Sequence, residues 1–119
     1  MPTARAKLPI ADGYKSDVER AWATAGAHYL MVQYLCPVAV MYYEPLSVNL
    51  PGGRYTPDFL AIMENGLLVF VECKGSKSQR GYRDARAKLR AAAALCPWAE
   101  WVEARGGGGR FEVEVIKEK

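Results

Sequence analysis

Apolar residues recur at two different periods along this chain, and each change of period marks a new element. From position 18 the period is helical, with Val18, Ala21, Trp22 and Ala25 on one face. Ser16-Asp17-Val18-Glu19 precedes them as a capping box, with Ser16 as N-cap and Glu19 reaching back to it. Gly26 could end this helix, but the reading favours continuation through Tyr34, closed by Cys36-Pro37 because the residue before a proline disfavours helix. Val38 to Tyr43 then reads as a strand, broken by Glu44-Pro45. Leu46 to Leu50 alternates, Pro51-Gly52-Gly53 turns, and Tyr55 to Met63 is β-prone, so those two stretches are expected to form a hairpin. Glu64-Asn65-Gly66 is a second turn, Asn-Gly being the strongest short hairpin signal. It leads into Leu67 to Val71, a continuous apolar run that suits a strand covered on both faces.

The helical period returns from about Ser78 to Leu95. Tyr82, Ala85, Leu89 and Ala92 face the core, and the alanines 91 to 94 are strong helix formers slim enough to lie close on a sheet. Cys96-Pro97 ends that stretch. Trp98 to Ala104 and Phe111 to Ile116 alternate as strands around a glycine-rich turn, read as a plain loop in preference to a DNA-facing tip. Glu112 and Glu114 mark the last strand as a half-exposed edge. The order α, three or four strands, α, β, β predicts an α/β sandwich, with helices flanking a mixed central sheet. Residues 1–13, with Pro2, Pro9 and Gly13, read as a flexible N-terminal arm. Residues 14–119 read as a single domain without internal repeats, of a size that still buries a real core.

Composition changes this picture little. Half of the 119 residues are apolar and 24% are charged, as in an ordinary globular protein. A net charge of +3 allows a nucleic-acid partner without demanding one. Cys36, Cys73 and Cys96 form no CxxC and lie near no histidine pair, which disfavours zinc and suits thiols in a reducing cytoplasm. No secretory signal is expected, and the apolar run Leu30 to Tyr43 is too short and broken to span a bilayer. His28 is a lone histidine, read as a packed or surface imidazole.

Candidate chemistry sits in the central hairpin. Asp58, Glu72 and Lys74 are ionisable residues inside an otherwise apolar strand pair. Glu72 and Lys74 are two apart and therefore project from the same face. Pairing around Asn65-Gly66 sets Asp58 nearly opposite Glu72, and Pro57 removes a ladder donor beside it. Two facing carboxylates repel unless a hard cation such as Mg²⁺ takes them as oxygen ligands. More modest roles exist for each: Asp58 as a turn former after proline, and Glu72 with Lys74 as an ion pair at a strand end.

Pro57-Asp58 followed by Glu72-Cys73-Lys74 resembles the PD-(D/E)XK nuclease superfamily. The fuller form, Tyr55-Thr56-Pro57-Asp58-Phe59 with Glu72-Cys73-Lys74-Gly75, is similar to small phage endonucleases, phage-type Holliday-junction resolvases among them. The resemblance covers nearly all of the chain from Ser16 onward. It implies a restriction-endonuclease-like αβββαβ core with an added C-terminal edge strand. It also implies a metal-dependent DNA endonuclease acting in recombination, replication or packaging of phage or prophage DNA, on branched DNA as the leading guess.

By that resemblance Asp58, Glu72 and the backbone carbonyl of Cys73 would hold Mg²⁺ or Mn²⁺, and Glu19 from the first helix would join the acidic cluster. Lys74 would serve either as the base toward water or as electrostatic support. Tyr43-Glu44-Pro45 also matches a recurrent element of these nucleases, without an assigned role. The basic residues Lys77, Arg80, Arg83 and Arg86 follow the motif directly and would track the DNA backbone. A chain this small suggests a homodimer, with a phage or host protein as a further partner. The alternatives are a non-catalytic nucleic-acid-binding or assembly module on the same fold, or a nuclease subunit that requires a partner.

Overall fold

The structure, a computed structural model, describes residues 14–107 and 110–117. The expected arm over residues 1–13 lies outside them, as do the two central glycines of the late turn. Helix α1 (Asp17–Tyr34) leads into β1 (Val38–Tyr43), the short β2 (Val48–Leu50) and β3 (Gly53–Tyr55), and then β4 (Phe59–Met63) and β5 (Leu68–Lys74). Helix α2 (Tyr82–Leu95) follows, and β6 (Glu100–Gly107) and β7 (Arg110–Val115) close the chain. Five strands form one mixed sheet in the order β1-β4-β5-β6-β7, and β2 pairs with β3 in a separate two-stranded sheet. Within the five-stranded sheet β5 and β6 are parallel, and the other neighbours are antiparallel. The architecture is therefore α/β with a mixed sheet and helices. Among the described residues no helix is long and apolar enough to cross a membrane.

Two apolar clusters cover the sheet. Phe59, Ala61, Val69, Val71, Val102 and Ala104 belong to the cluster that includes Trp22 and Leu30 of α1. Leu60, Phe70 and Trp101 belong to the one that includes Leu89, Ala92 and Ala93 of α2. Strand alternation divides the residues between the two clusters, and β5 is buried on both sides as its unbroken apolar run requires. Helix α1 does continue through Gly26, and the glycine there serves close packing. A Cβ at Gly26 would overlap the indole of Trp22, one turn earlier on the buried face. Ser16 is the N-cap, with its Oγ accepting from Glu19 N at 3.2 Å. The helix ends at Tyr34, and Leu35 takes the left-handed conformation before Cys36-Pro37.

Two expectations need correction. The stretch Tyr55 to Met63 is not one strand: it breaks at Thr56-Pro57-Asp58, and only Gly53–Tyr55 pairs with Val48–Leu50. Proline cannot donate to a ladder, and the break lets β3 leave the main sheet while β4 inserts between β1 and β5. The second helix begins at Tyr82 rather than near Ser78, because Gly81 precedes it in a left-handed conformation, at φ 79°. The basic residues Lys77 and Arg80 therefore sit on a turn, not on the helix. The Asn65-Gly66 turn forms as expected, with Gly66 at φ 90° and Asn65 Oδ1 accepting from Leu67 N.

Candidate active site

The site is built where β4 begins and β5 ends. In the antiparallel ladder Phe59 faces Val71, so one step further Asp58 faces Glu72. Pro57 leaves Asp58 at the break between β3 and β4. Its carboxylate then completes the ladder, with Oδ2 accepting from Cys73 N at 2.8 Å. Its carbonyl accepts from Glu44 N at 2.8 Å, which ties the same residue to the end of β1. Glu72 is buried, on the sheet face that also carries Phe70 and Lys74. Lys74 Nζ lies 3.6 Å from Glu72 Oε2, and Tyr55 donates its hydroxyl to Glu72 Oε1 at 2.7 Å.

Glu19 arrives from the first turn of α1. Its Oε1 accepts from Tyr43 Oη at 2.7 Å and from Lys15 N at 3.0 Å, so its carboxylate serves the residue before the N-cap rather than the N-cap itself. Capping and inward placement are thus compatible: Ser16 caps Glu19 N, while the Glu19 side chain turns in and is 8% exposed.

Electrostatically the cluster is under-compensated. Burial raises the Asp58 carboxyl, the charge of Glu72 raises it further, and the Cys73 N–H only partly offsets them. Glu19 adds its own repulsion and comes within hydrogen-bonding reach of Asp58. Glu72 is also raised, first by burial, with Tyr55 and Lys74 pulling it back. Burial and then Glu72 push the Tyr55 hydroxyl up, so Tyr55 remains a donor. The Cys73 thiol is held protonated by burial and by its acidic neighbours, and its side chain packs in the α1-side core. Lys15 pairs with Glu44 at 2.9 Å from the solvent side.

The donor set suits a hard cation. Carboxylates crowded together at depth gain from a divalent ion, and Mg²⁺ is commonly held by one or two carboxylates plus water. Among the described residues no set of three or more His, Cys, Asp or Glu side chains is already arranged to hold a metal ion. The chemistry of Asp58 and Glu72 fits the group in kind, with the remaining positions open to water, backbone oxygen or substrate.

The structure therefore brings together Asp58, Glu72, Lys74 and Glu19, as the sequence suggested. Lys77, Arg80 and Arg83 are exposed on the turn after β5 and at the start of α2. An open cleft of about 320 Å³ adjoins this turn, lined by Gly75, Ser76, Lys77, Arg105, Gly106 and Glu112. Arg86 departs from expectation. Its guanidinium turns to the sheet and bridges Glu103 at 2.8 Å and Glu114 at 2.7 Å, so it is not presented beside the exposed basic residues. His28 is exposed at the far half of α1.

Sequence reasoning missed Tyr43 and Tyr55 as partners of the acids. Tyr55 stands within the motif stretch, but its contact with Glu72 spans two sheets and leaves no mark in local spacing. It also missed Glu103, a fully buried acid on β6 that faces Glu72 in the parallel ladder.

Comparisons with known proteins add little to this geometry. No family model matches the chain, and no curated protein matches it. A solved structure described as "Crystal structure of SSO0001" is similar over 76% of this chain, at 18% identity and a TM-score of 0.38. The chain spans about half the length of that structure, 46% of it being covered. A likeness at that level carries no argument for fold or function.

Proposed function

We propose that this chain is a metal-dependent DNA endonuclease of the PD-(D/E)XK type, with a restriction-endonuclease-like core. One observation carries the reading: half-buried Asp58 and buried Glu72 meet at the end of β5 with buried Glu19 beside them, and Lys74 is the amine at hand. Structural acids at such depth are ordinarily paired. These are left short of positive charge next to a basic, solvent-facing turn.

Bound Mg²⁺ or Mn²⁺ would supply Lewis-acid activation of water and neutralise charge on the phosphate. The residues do the rest. Asp58 and Glu72 hold the cation, and Glu19 adds negative charge at the same point. The backbone carbonyl of Cys73, between Glu72 and Lys74, is the natural fourth contributor. Lys74, at the edge of the cluster, places its ammonium toward a scissile phosphate and its attacking water. Lys77, Arg80 and Arg83 hold the DNA backbone and carry no base specificity of their own. The preferred substrate is branched DNA such as a four-way junction, cut by a homodimer that sets two sites on two strands. A role in phage or prophage recombination, replication or packaging, with a phage or host protein partner, fits that substrate.

The test is direct. Linear, nicked, flapped and four-way DNA are incubated with the protein and Mg²⁺ or Mn²⁺, beside Lys74→Ala. Cleavage by the wild type should fall at least 100-fold in the variant. Equal products from the two would end the enzyme reading. The exposed basic residues Lys77, Arg80 and Arg83 also suit one other reading, a DNA-binding module that does not cut. That module would bind DNA equally well with Glu72→Gln and cleave with neither metal.

A further inference from the structure

Each acid of the cluster has one carboxylate oxygen engaged by a fixed donor. Glu19 Oε1 receives Tyr43 Oη, Asp58 Oδ2 receives Cys73 N, and Glu72 Oε1 receives Tyr55 Oη. The second oxygens are Glu19 Oε2, Asp58 Oδ1 and Glu72 Oε2. The Tyr55 contact differs from the others in origin. Tyr43 belongs to the main sheet and the Cys73 amide to β5 itself, whereas Tyr55 ends β3 in the separate two-stranded sheet. It is 5% exposed, packed with Leu60, Phe70 and Leu89, and reaches Glu72 across 17 residues of chain.

We infer that Tyr55 is the positioning residue of the site: its hydroxyl fixes the plane of the Glu72 carboxylate so that Oε2 is the oxygen offered to the cation, and it keeps the ion pair of Glu72 with Lys74 from shortening. This rests on the metal-dependent reading above. The distances support it. The Tyr55 hydrogen bond is short, at 2.7 Å, while Lys74 Nζ stays 3.6 Å from Glu72 Oε2. Two opposite charges with little solvent between them attract strongly, so an untethered Glu72 would rotate into a closer pair with Lys74. That pair would occupy the metal-binding oxygen and the amine at once. Donors that orient metal-ligating groups commonly matter 10–100-fold to affinity or activity.

The experiment is Mn²⁺ binding by calorimetry on the full chain without DNA, beside cleavage kinetics. Tyr55→Phe should weaken Mn²⁺ about tenfold and lower kcat with the KM for DNA unchanged. Tyr34→Phe is the control. It removes a comparable hydroxyl–carboxylate bond, to Glu100 at 3.1 Å, about 22 Å along α1 from Glu19 by helical rise, and should leave Mn²⁺ affinity as in the wild type. Unchanged Mn²⁺ affinity in a folded Tyr55→Phe overturns the inference, while the nuclease reading stands on the Lys74→Ala result. Absence of Mn²⁺ binding in the wild type removes the metal reading and this inference together. Should Tyr55→Phe fail to fold by stranding a buried carboxylate oxygen, Tyr55→His is measured instead, since it keeps a donor at that depth on a shorter side chain. Mn²⁺ affinity equal to the wild type in a folded Tyr55→His overturns the inference, and a loss supports it.

Discussion

Glu72 and Glu103 face each other in the parallel ladder of β5 and β6, at similar depth and on the same face of the sheet, yet their surroundings are opposite. Glu103 receives Tyr82, Arg86 and Arg105, and the two arginines extend the network to Glu114. Burial alone would raise Glu103, but those three donors outweigh it and leave its carboxyl below the usual range. Glu114 is drawn down to about 2, chiefly by Arg86. One strand away, Asp58 and Glu72 are pushed up, because burial and mutual repulsion exceed what Lys74, Tyr55 and a backbone amide return. Burial of an acid is thus not the mark of a site. The mark is an acid whose counter-charge the protein withholds.

That contrast can be broken most forcefully at Glu103. Glu103→Gln leaves the partly buried guanidiniums of Arg86 and Arg105 with the more exposed Glu114 and should cost about 3 kcal/mol in urea unfolding, since breaking a buried ion pair from one side is strongly destabilising. A loss within error of zero would mean that the arginine network carries no more weight than a surface pair.

A smaller effect distinguishes the two clusters by pH. Asp58 and Glu72 have folded values above their unfolded ones. The metal-free protein should therefore lose stability as pH rises from about 4 through those raised values, and Asp58→Asn should flatten the decline. Glu103 and Glu114 are lowered, so their contribution is in place above the ordinary carboxylate range and disappears as pH falls toward about 2. Thermal melts across pH, with and without Mn²⁺, check both slopes. A metal-free profile that rises from pH 5 to 8 and ignores Asp58→Asn would remove the distinction.

The smallest effect concerns the basic turn. Arg80→Ala and Arg83→Ala should each reduce the slope of log affinity against log salt by about 1, whereas Arg86→Ala should act on stability first. Equal salt slopes for all three variants would place Arg86 back among the DNA contacts.

The readable parts of the chain were those governed by neighbours in sequence. The Ser16 cap, the Asn65-Gly66 turn, the two-sided burial of β5 and the projection of Glu72 and Lys74 to one side all follow from spacing and turn chemistry. So did the meeting of Asp58 with Glu72, because a tight hairpin sets its register. The misread parts depended on partners far away. The break after Tyr55 was hidden because its flanks are equally β-prone, and only the insertion of β4 between β1 and β5 shows where pairing changes. Arg86 looks like Arg83 in the sequence, but it differs in facing Glu103 and Glu114.

By itself, the amino-acid sequence determined most of the helices and strands and which acids lie across one hairpin, since these depend on period, caps and turns within a few residues. Only the tertiary structure decided which charges are answered. Arg86 and Arg105 come to Glu103 across a helix and a strand, while Tyr55 and Tyr43 bring hydroxyls rather than cations to Glu72 and Glu19. Charge balance at depth is settled by long-range packing, because water no longer supplies it.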